Sequence, residues 1–214
     1  MTGDALLFDL DGTLVDSHAS IVAGWSRWTS RYDVDLAAVL AIMRGRPAID
    51  VMRDVRPELP DSVLASDVTA LIAGEIADAA RVIAMPGAAE LLESLPGDRW
   101  AVVTACTREL ALARLGAAGL PVPGVLIGSD SGHAAKPDPA GYLAAAAQLG
   151  VAAERSLVIE DAPAGVAAGL AAGMRVIAVP PAATSPVGPG CFTLLALSDL
   201  CIIQNGDNLT LSPC

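Results

Sequence analysis

The sequence is poor in positive charge and in aromatic side chains. Its 13 lysines and arginines face 24 aspartates and glutamates, which gives a formal net charge of −11. That balance argues against a nucleic-acid backbone or an anionic membrane surface as the main partner. Because aromatic residues make up only 3% of the chain, we expect a core of small and aliphatic side chains, which suits helices packed on a buried sheet.

The sequence also lacks the features of a leader, a membrane span or a disulfide framework. Asp4 and Asp9 interrupt the early apolar run, so no signal peptide is expected, and the alanine-rich run 162–174 is too short to cross a bilayer. The four cysteines show no CxxC spacing, which predicts free thiols. We expect a cytoplasmic protein that is a monomer or a weak homodimer.

Apolar runs alternate with helical patterns along much of the chain. Strands are predicted at 5–10, 99–104, 125–128, 156–161 and 175–179, and helices at 107–118, 139–149 and 163–173. Such alternation predicts an α/β fold with a doubly wound, mainly parallel sheet covered on both faces. The segment 180–190 is predicted to be a loop, and 201–211 a terminal hairpin or an edge strand.

The first two strands are separated by more residues than one crossover helix needs. The excess is helical in pattern, with helices predicted at 21–32, 37–43, 48–55 and 62–83. We therefore predict a small helical insert, residues 17–85, and an α/β core made of residues 1–16 and 86–214. The insert follows the carboxyl end of the first strand, where open parallel sheets bind ligands, so it is expected to act as a lid.

Side chains capable of chemistry collect where the predicted strands end. They are Asp9, Asp11, Thr104, Lys136, Glu160 and Asp161. The carboxyl ends of strands in a doubly wound sheet converge on one crevice, so these groups are expected to meet there. Lys136 is the only lysine of the chain, and a lone lysine beside an acid cluster suggests a specific role.

This combination of groups suits a metal ion and a phosphate. Hard carboxylate oxygens without clustered His or Cys favour Mg²⁺, which commonly keeps sites for water and substrate phosphate. The N–H groups of Gly12, Ala105 and Cys106 are then expected to surround the phosphate oxygens, with the Thr104 hydroxyl and Lys136. A small phosphate ester is the predicted substrate.

Four ordered motifs resemble those of the haloacid dehalogenase superfamily of phosphotransferases. They are DLDGT at 9–13, the VVT that ends at Thr104, KPDP at 136–139 and IEDAPAG at 159–165. The resemblance implies a Rossmann-like core with a small cap inserted after the first strand. It is nearest to the branch of β-phosphoglucomutase and of small sugar or polyol phosphate phosphatases, including glycerol-3-phosphatase-like enzymes.

The resemblance also implies a role for each motif residue. Asp9 would be the nucleophile that forms an aspartyl phosphate, and Asp11 would protonate the leaving alcohol and later activate water. Thr104 and Lys136 would bind the transferring phosphoryl group. The implied Mg²⁺ ligands are Asp9, the Asp11 carbonyl, Glu160 and Asp161.

Each motif also has a plainer explanation. Asp9 and Asp11 alone read as a turn pair, Lys136 as a solvated lysine, and the acidic pair at 160–161 as favouring the following helix N-terminus. Their joint occurrence at one sheet edge favours catalysis. In the insert, Arg44 and Arg46 flank Gly45, so one of them is expected to reach the substrate across the crevice. Arg46 is the one predicted, and the alternative is an ordinary solvated arginine.

Several functions compete with hydrolysis. Asp11 argues against a dehalogenase, which needs no proton for a leaving alcohol, and an insert without lysine argues against Schiff-base phosphonate chemistry. A mutase of the β-phosphoglucomutase type, with a His-Lys pair in its cap, and a non-catalytic metal-dependent binding module remain as alternatives. A phosphatase is the simpler prediction.

Overall fold

The structure is a computed structural model that describes residues 1–44, 46–181, 189–205 and 208–213. Its strands are β1 (Thr2–Gly3), β2 (Ala5–Phe8), β3 (Val15–Asp16), β4 (Ile83–Ala84), β5 (Trp100–Val103), β6 (Val125–Ile127), β7 (Ser156–Glu160), β8 (Arg175–Ala178), β9 (Cys191–Thr193), β10 (Leu200–Asn205) and β11 (Asn208–Pro213). Its α-helices are α1 (His18–Tyr32), α2 (Leu36–Ile42), α3 (Ala48–Val55), α4 (Asp61–Ala77), α5 (Ala88–Glu93), α6 (Arg108–Ala117), α7 (Ala140–Gln148) and α8 (Pro163–Ala171).

Six strands form a parallel central sheet in the order β6-β5-β2-β7-β8-β9. Successive residues of a strand point to opposite faces, and two apolar clusters cover the two faces. Leu6 and Phe8 belong to one cluster, whereas Leu7 belongs to the other. The predicted doubly wound α/β sheet is thereby confirmed, and β9 is an additional edge strand that the sequence pattern did not indicate.

Local sequence signals account for the helices that follow the strands. The Thr107 side chain caps α6 by accepting a hydrogen bond from the Leu110 amide at 3.4 Å. Pro163 occupies the first turn of α8, where its missing N–H costs nothing. These helices lie within one or two residues of their predicted bounds, whereas α5 was not predicted.

The insert helices α1 to α4 have an apolar cluster of their own. It is centred on Trp25 and Trp28, whose rings meet edge-on with centroids 5.7 Å apart. The Trp28 indole N–H donates to the buried Asp67 carboxylate at 3.1 Å. This separate packing supports residues 17–85 as a unit, and that division stays a proposal.

The predicted fourth helix of the insert, 62–83, is wrong at its C-terminal end. Helix α4 stops at Ala77, a 3-10 turn follows at Ala79–Arg81, and β4 then pairs antiparallel with β3. Val82 is buried in the cluster of the central sheet, and this tertiary contact overrides the local helical pattern. The insert is therefore joined to the core through a two-stranded connection.

The C-terminal segment forms a small sheet of its own. The predicted hairpin is confirmed as β10 and β11, and β1 pairs with β11 to give the order β1-β11-β10. Cys106 and Cys191 are free, but Cys201 is disulfide-bonded, so the prediction of free thiols is wrong for that residue. Most of the predicted loop 180–190 lies outside the described residues. Within the described ranges, no helix is both long and apolar enough to cross a membrane.

Candidate active site

A cavity of about 640 Å³ lies between the carboxyl ends of the central strands and the insert helices. All eight side chains predicted for the site line it, namely Asp9, Asp11, Arg46, Thr104, Ala105, Lys136, Glu160 and Asp161. The fold therefore brings the motif residues together, as expected for strand ends in a doubly wound sheet. Their individual roles stay predictions.

Lys136 holds the centre of the acid cluster. Its side chain is 8% exposed, and its Nζ donates to Asp9 Oδ1 at 2.6 Å and to Glu160 Oε1 at 2.7 Å. A third hydrogen bond reaches the Val103 carbonyl at 2.9 Å, so all three N–H donors are used. Burial lowers the pKa of Lys136, but Asp9 and Glu160 raise it by more, and the pKa lies well above its usual value.

Glu160 is enclosed on every side. Its Oε1 also accepts a hydrogen bond from the Tyr142 hydroxyl at 3.3 Å, and its Oε2 accepts one from the Ala162 amide at 2.8 Å. The Tyr142 ring lies 5.1 Å from Lys136 Nζ. Gly165 is required beneath this carboxylate, because a Cβ there would collide with it. The role of Tyr142 was not predicted from the sequence.

Asp161 faces the cavity from the end of β7. Thr13 Oγ1 donates to its Oδ1 at 3.5 Å, and Arg44 Nη1 lies 3.7 Å from its Oδ2. Gly12, with a φ of 91°, lets the turn after β2 pass close to this carboxylate, where a Cβ would collide with it. Burial and the neighbouring Glu160 raise the pKa of Asp161 to about 7.

The acid cluster carries more negative charge than its own cation neutralises. Asp9, Glu160 and Asp161 are buried and offer oxygen atoms within 4.8 Å of one another, and Lys136 is the ammonium among them. Burial raises the pKa of Asp9 well above its usual value, since the opposing effect of Lys136 is smaller. An all-oxygen set with unbalanced charge fits a hard divalent cation.

The predicted phosphate donors are only partly free. The Cys106 amide donates to Thr104 Oγ1 at 3.2 Å, and the Gly12 amide donates to the Val15 carbonyl at 2.8 Å. Both amides thus have acceptors inside the protein, and their contact with a phosphate stays a prediction. Ala105 is exposed on the cavity wall, where its backbone adjoins Thr104.

Asp11 is held by a buried arginine that the sequence analysis did not single out. Arg114 Nη1 donates to Asp11 Oδ2 at 2.5 Å, and Arg114 Nη2 donates to Glu75 Oε2. Burial raises the pKa of Glu75 to about 7 although Arg114 opposes that shift. A signal was present, because Arg114 lies four residues after Leu110 on the buried face of α6.

The two arginines at the tip of the insert differ in their contacts. Arg46 lines the cavity, but its Nη2 forms an ion pair with Asp54 Oδ2 at 2.6 Å. Arg44, two residues earlier, is the one that approaches the acid cluster, through Asp161. Both side chains are at least a third exposed, so each can change partner at little cost.

Known proteins resemble this chain over most of its length. The family model described as haloacid dehalogenase-like hydrolase matches residues 4–173. Hexitol phosphatase A of Escherichia coli is 41% identical over 182 residues, covering 84% of this chain and 84% of that protein. Glycerol-1-phosphate phosphohydrolase 2 of Saccharomyces cerevisiae is 30% identical over 187 residues, covering 82% of this chain and 74% of that protein.

A solved structure shows the same architecture. A hydrolase from Pseudomonas syringae superposes with a TM-score of 0.73 at 26% sequence identity, covering 83% of this chain and 84% of that chain. The likeness therefore extends over most of the chain and is not confined to the four motifs.

Proposed function

Because the chain belongs to the haloacid dehalogenase-like hydrolases, we propose that it is a Mg²⁺-dependent phosphatase acting on a small polyol or sugar phosphate. The observation that carries this proposal is the meeting of Asp9, Asp11, Lys136 and Asp161 in one cavity. We further propose that residues 17–85 form a cap over a core of residues 1–16 and 86–214. The net charge of −11 supports a small-molecule substrate in place of nucleic acid or a membrane.

Asp9 is the proposed nucleophile. Its Oδ1 is engaged by Lys136 at 2.6 Å, which fixes the carboxylate and leaves its second oxygen to attack phosphorus. The new O–P bond makes an aspartyl phosphate while the bond from phosphorus to the substrate alcohol breaks. Asp11 gives a proton to that alcohol as it leaves.

Water then restores the enzyme. Asp11, now a carboxylate, takes a proton from a water molecule whose oxygen attacks the phosphorus. The bond between Asp9 and phosphorus breaks, and inorganic phosphate is released. Lys136, the Thr104 hydroxyl and the Ala105 amide are the proposed ligands of the phosphoryl oxygens, because positive charge and preorganised donors stabilise the charge that develops there.

Mg²⁺ is the proposed metal, held by Asp9, the Asp11 carbonyl and Asp161, with Glu160 as a further proposed ligand. Glu160 completes the acid cluster, and its two oxygens already accept hydrogen bonds from Lys136, Tyr142 and Ala162. When bound, the ion would neutralise excess carboxylate charge and draw electron density from a phosphate oxygen.

The proposed substrate class rests on the relatives and on the cavity. The relatives include a hexitol phosphatase and a glycerol-1-phosphate phosphohydrolase, so phosphates of polyols from glycerol to hexitols are the first candidates. A cavity of about 640 Å³ is large enough for such a molecule. Arg44 and Arg46 stand at its insert side and can bind the hydroxyl groups or a distal oxygen.

A screen of phosphate release tests the proposal. Hexitol, glycerol and sugar phosphates would be compared with nucleotides, with and without Mg²⁺ and EDTA, and the Asp9→Asn variant would control for contaminating phosphatase. We expect release from the polyol or sugar esters that requires metal and Asp9. Migration of the phosphate within the substrate, seen by phosphorus NMR without release, would favour the mutase; binding without turnover would favour the binding module.

A further inference from the structure

A buried ion-pair chain links the proposed general acid to the insert. Arg114 of α6 has a side chain that is 2% exposed, and it lies between Asp11 after β2 and Glu75 of α4. One guanidinium nitrogen donates to each carboxylate. The chain of contacts therefore begins at the catalytic cavity, passes through the core helix and ends on the insert.

Stability alone does not explain this arrangement. Taking charged groups out of water is costly, and apolar side chains of similar volume often serve a core equally well. The helix around Arg114 buries Leu110, Ala111 and Leu115, so an apolar residue would suit this position. The planar guanidinium instead fixes two carboxylates in definite directions, which a single-nitrogen cation does less well.

Two unpartnered atoms indicate what the arrangement serves. Among buried side-chain nitrogen and oxygen atoms of the described residues, Asp11 Oδ1 and Arg114 Nε lack a hydrogen-bond partner. Both residues line the cavity. Asp11 is thus held through Oδ2, while its Oδ1 is buried and has no partner in the protein. Within the described residues the hydrogen bond from Arg114 is therefore the contact that fixes the direction of this carboxyl group at the cavity wall.

We propose that Arg114 is the positioning residue for Asp11, and that Glu75 aligns Arg114, so that the seating of α4 on α6 sets the direction of the general acid. This inference rests on the proposed role of Asp11. During the first step the bond from phosphorus to the alcohol breaks, its electron pair stays on oxygen, and the Asp11 proton moves to that oxygen. The carboxylate left on Asp11 remains paired with Arg114.

The leaving group provides the test. An alkyl alkoxide needs a proton, whereas a nitrophenolate leaves without one, so loss of general acid catalysis slows an alkyl phosphate far more than an aryl phosphate. The quantity to compare is kcat/KM, which reports the steps up to formation of the aspartyl phosphate and excludes its later hydrolysis. The substrates are a hexitol phosphate and p-nitrophenyl phosphate.

The expected results follow from the ion pairs that link Asp11, Arg114 and Glu75. Arg114→Met lowers kcat/KM for the hexitol phosphate about a hundredfold, as for loss of a general acid, and leaves that for the aryl ester nearly unchanged. Asp11→Asn gives the same pattern, and the double variant is no worse than Asp11→Asn alone. Glu75→Gln, which keeps the shape but not the charge, lowers the alkyl rate by about tenfold, within the range for coupled neighbours.

Two further variants keep the test decisive. Arg108→Met, a matched control on the exposed side of the same helix, leaves kcat/KM unchanged for both substrates. Arg114→Lys recovers part of the kcat/KM for the hexitol phosphate that Arg114→Met loses. If Arg114→Met does not fold in a thermal melt, Arg114→Lys and Glu75→Gln decide the matter. Equal losses on both substrates, or no loss, would overturn the positioning role.

The outcome also separates this inference from the proposed function. If Asp11→Asn slows the alkyl ester selectively and the Arg114 and Glu75 variants do not, the proposed acid stands and the positioning role fails. If Asp11→Asn itself shows no dependence on the leaving group, Asp11 is not the acid, and both ideas fail together.

Discussion

At the scale of single residues, Asp9 carries the covalent step of the proposed mechanism. Asp9→Asn is expected to abolish turnover, because the amide is too weak a nucleophile to form the acyl phosphate. The near-isosteric side chain should leave the fold intact, as thermal unfolding can verify. Normal phosphate release from a folded Asp9→Asn protein would remove the proposed nucleophile.

Lys136 is expected to matter as much for electrostatics as for phosphate binding. Lys136→Ala should lower kcat about a hundredfold or more, since one preorganised donor contributes that much in a water-poor site. It also leaves Asp9 and Glu160 without the ammonium that now bonds to both. Added Mg²⁺ should therefore raise the melting temperature of the variant more than that of the wild type, and a wild-type rate would return Lys136 to a structural role.

Arg46 was predicted to contact the substrate, but in the structure its side chain is paired with Asp54. We expect Arg46→Ala to raise KM for a polyol phosphate about tenfold, a loss of ~1.4 kcal/mol, with little change for an aryl phosphate. Because Arg46 is paired with Asp54, Asp54→Ala is the matched variant: it frees the arginine and should not raise KM. If only Arg44→Ala raises KM, the prediction named the wrong arginine of the two.

At the scale of elements, the sequence predicts those strands and helices that a local pattern of apolar residues specifies. Each strand of the central sheet except the edge strand β9 is an apolar run, and the proline and threonine signals locate α6 and α8 closely. The end of α4, the pair of β3 with β4, and helix α5 depend on contacts between distant segments, as the burial of Val82 shows. Single-sequence patterns do not contain such contacts.

The residues of the site also divide into those that a local motif identifies and those that depend on distant contacts. Residues inside motifs were predicted because type and spacing identify them, and the cavity does bring them together. Arg114, Glu75 and Tyr142 belong to no motif, and each acts through a partner distant in the chain. The one sequence signal for these residues is a charged or phenolic side chain at a position that the helical pattern predicts to be buried.

Two glycines, Gly165 in α8 and Gly116 in α6, allow a prediction about packing. Gly165→Ala should push the Glu160 carboxylate aside and cost on the order of 1–3 kcal/mol of unfolding free energy, as overpacking does, with a loss of activity. Gly116→Ala, in α6 where a Cβ meets open space, should instead stabilise by roughly 0.5–1 kcal/mol. Urea unfolding of both variants checks the signs, and an active, stable Gly165→Ala protein would contradict this packing.

At the scale of the whole molecule, the buried acids make stability depend on pH and metal together. The pKa of Asp161 is about 7 in the fold, against an ordinary value of 3.8. A raised carboxyl pKa means that the folded state binds the proton more tightly, so its stabilising effect is complete below the ordinary value and is lost as pH rises to about 7.

Mg²⁺ should reverse this trend because it binds the deprotonated carboxylates. The rise in melting temperature on adding Mg²⁺ is expected to be larger near pH 8 than near pH 5, and to shrink strongly in Asp161→Asn. Calorimetry of wild type and variant in metal-free and Mg²⁺ buffers measures both. Equal rises at the two pH values would contradict a metal site at this cluster.

The single lysine of the chain has a practical consequence for observing the molecule. Lys136 can be acylated only after its Nζ loses a proton and leaves Asp9, Glu160 and the Val103 carbonyl. An acylating reagent such as acetic anhydride therefore labels only molecules in which these three contacts have broken. An N-terminal α-amino group also reacts, and digestion and mass spectrometry separate that product from labelled Lys136 easily. The rate of Lys136 acetylation then reports how often these contacts break, as amide exchange reports local unfolding. The local stability of the acid cluster can thus be measured in protein that has no substrate bound.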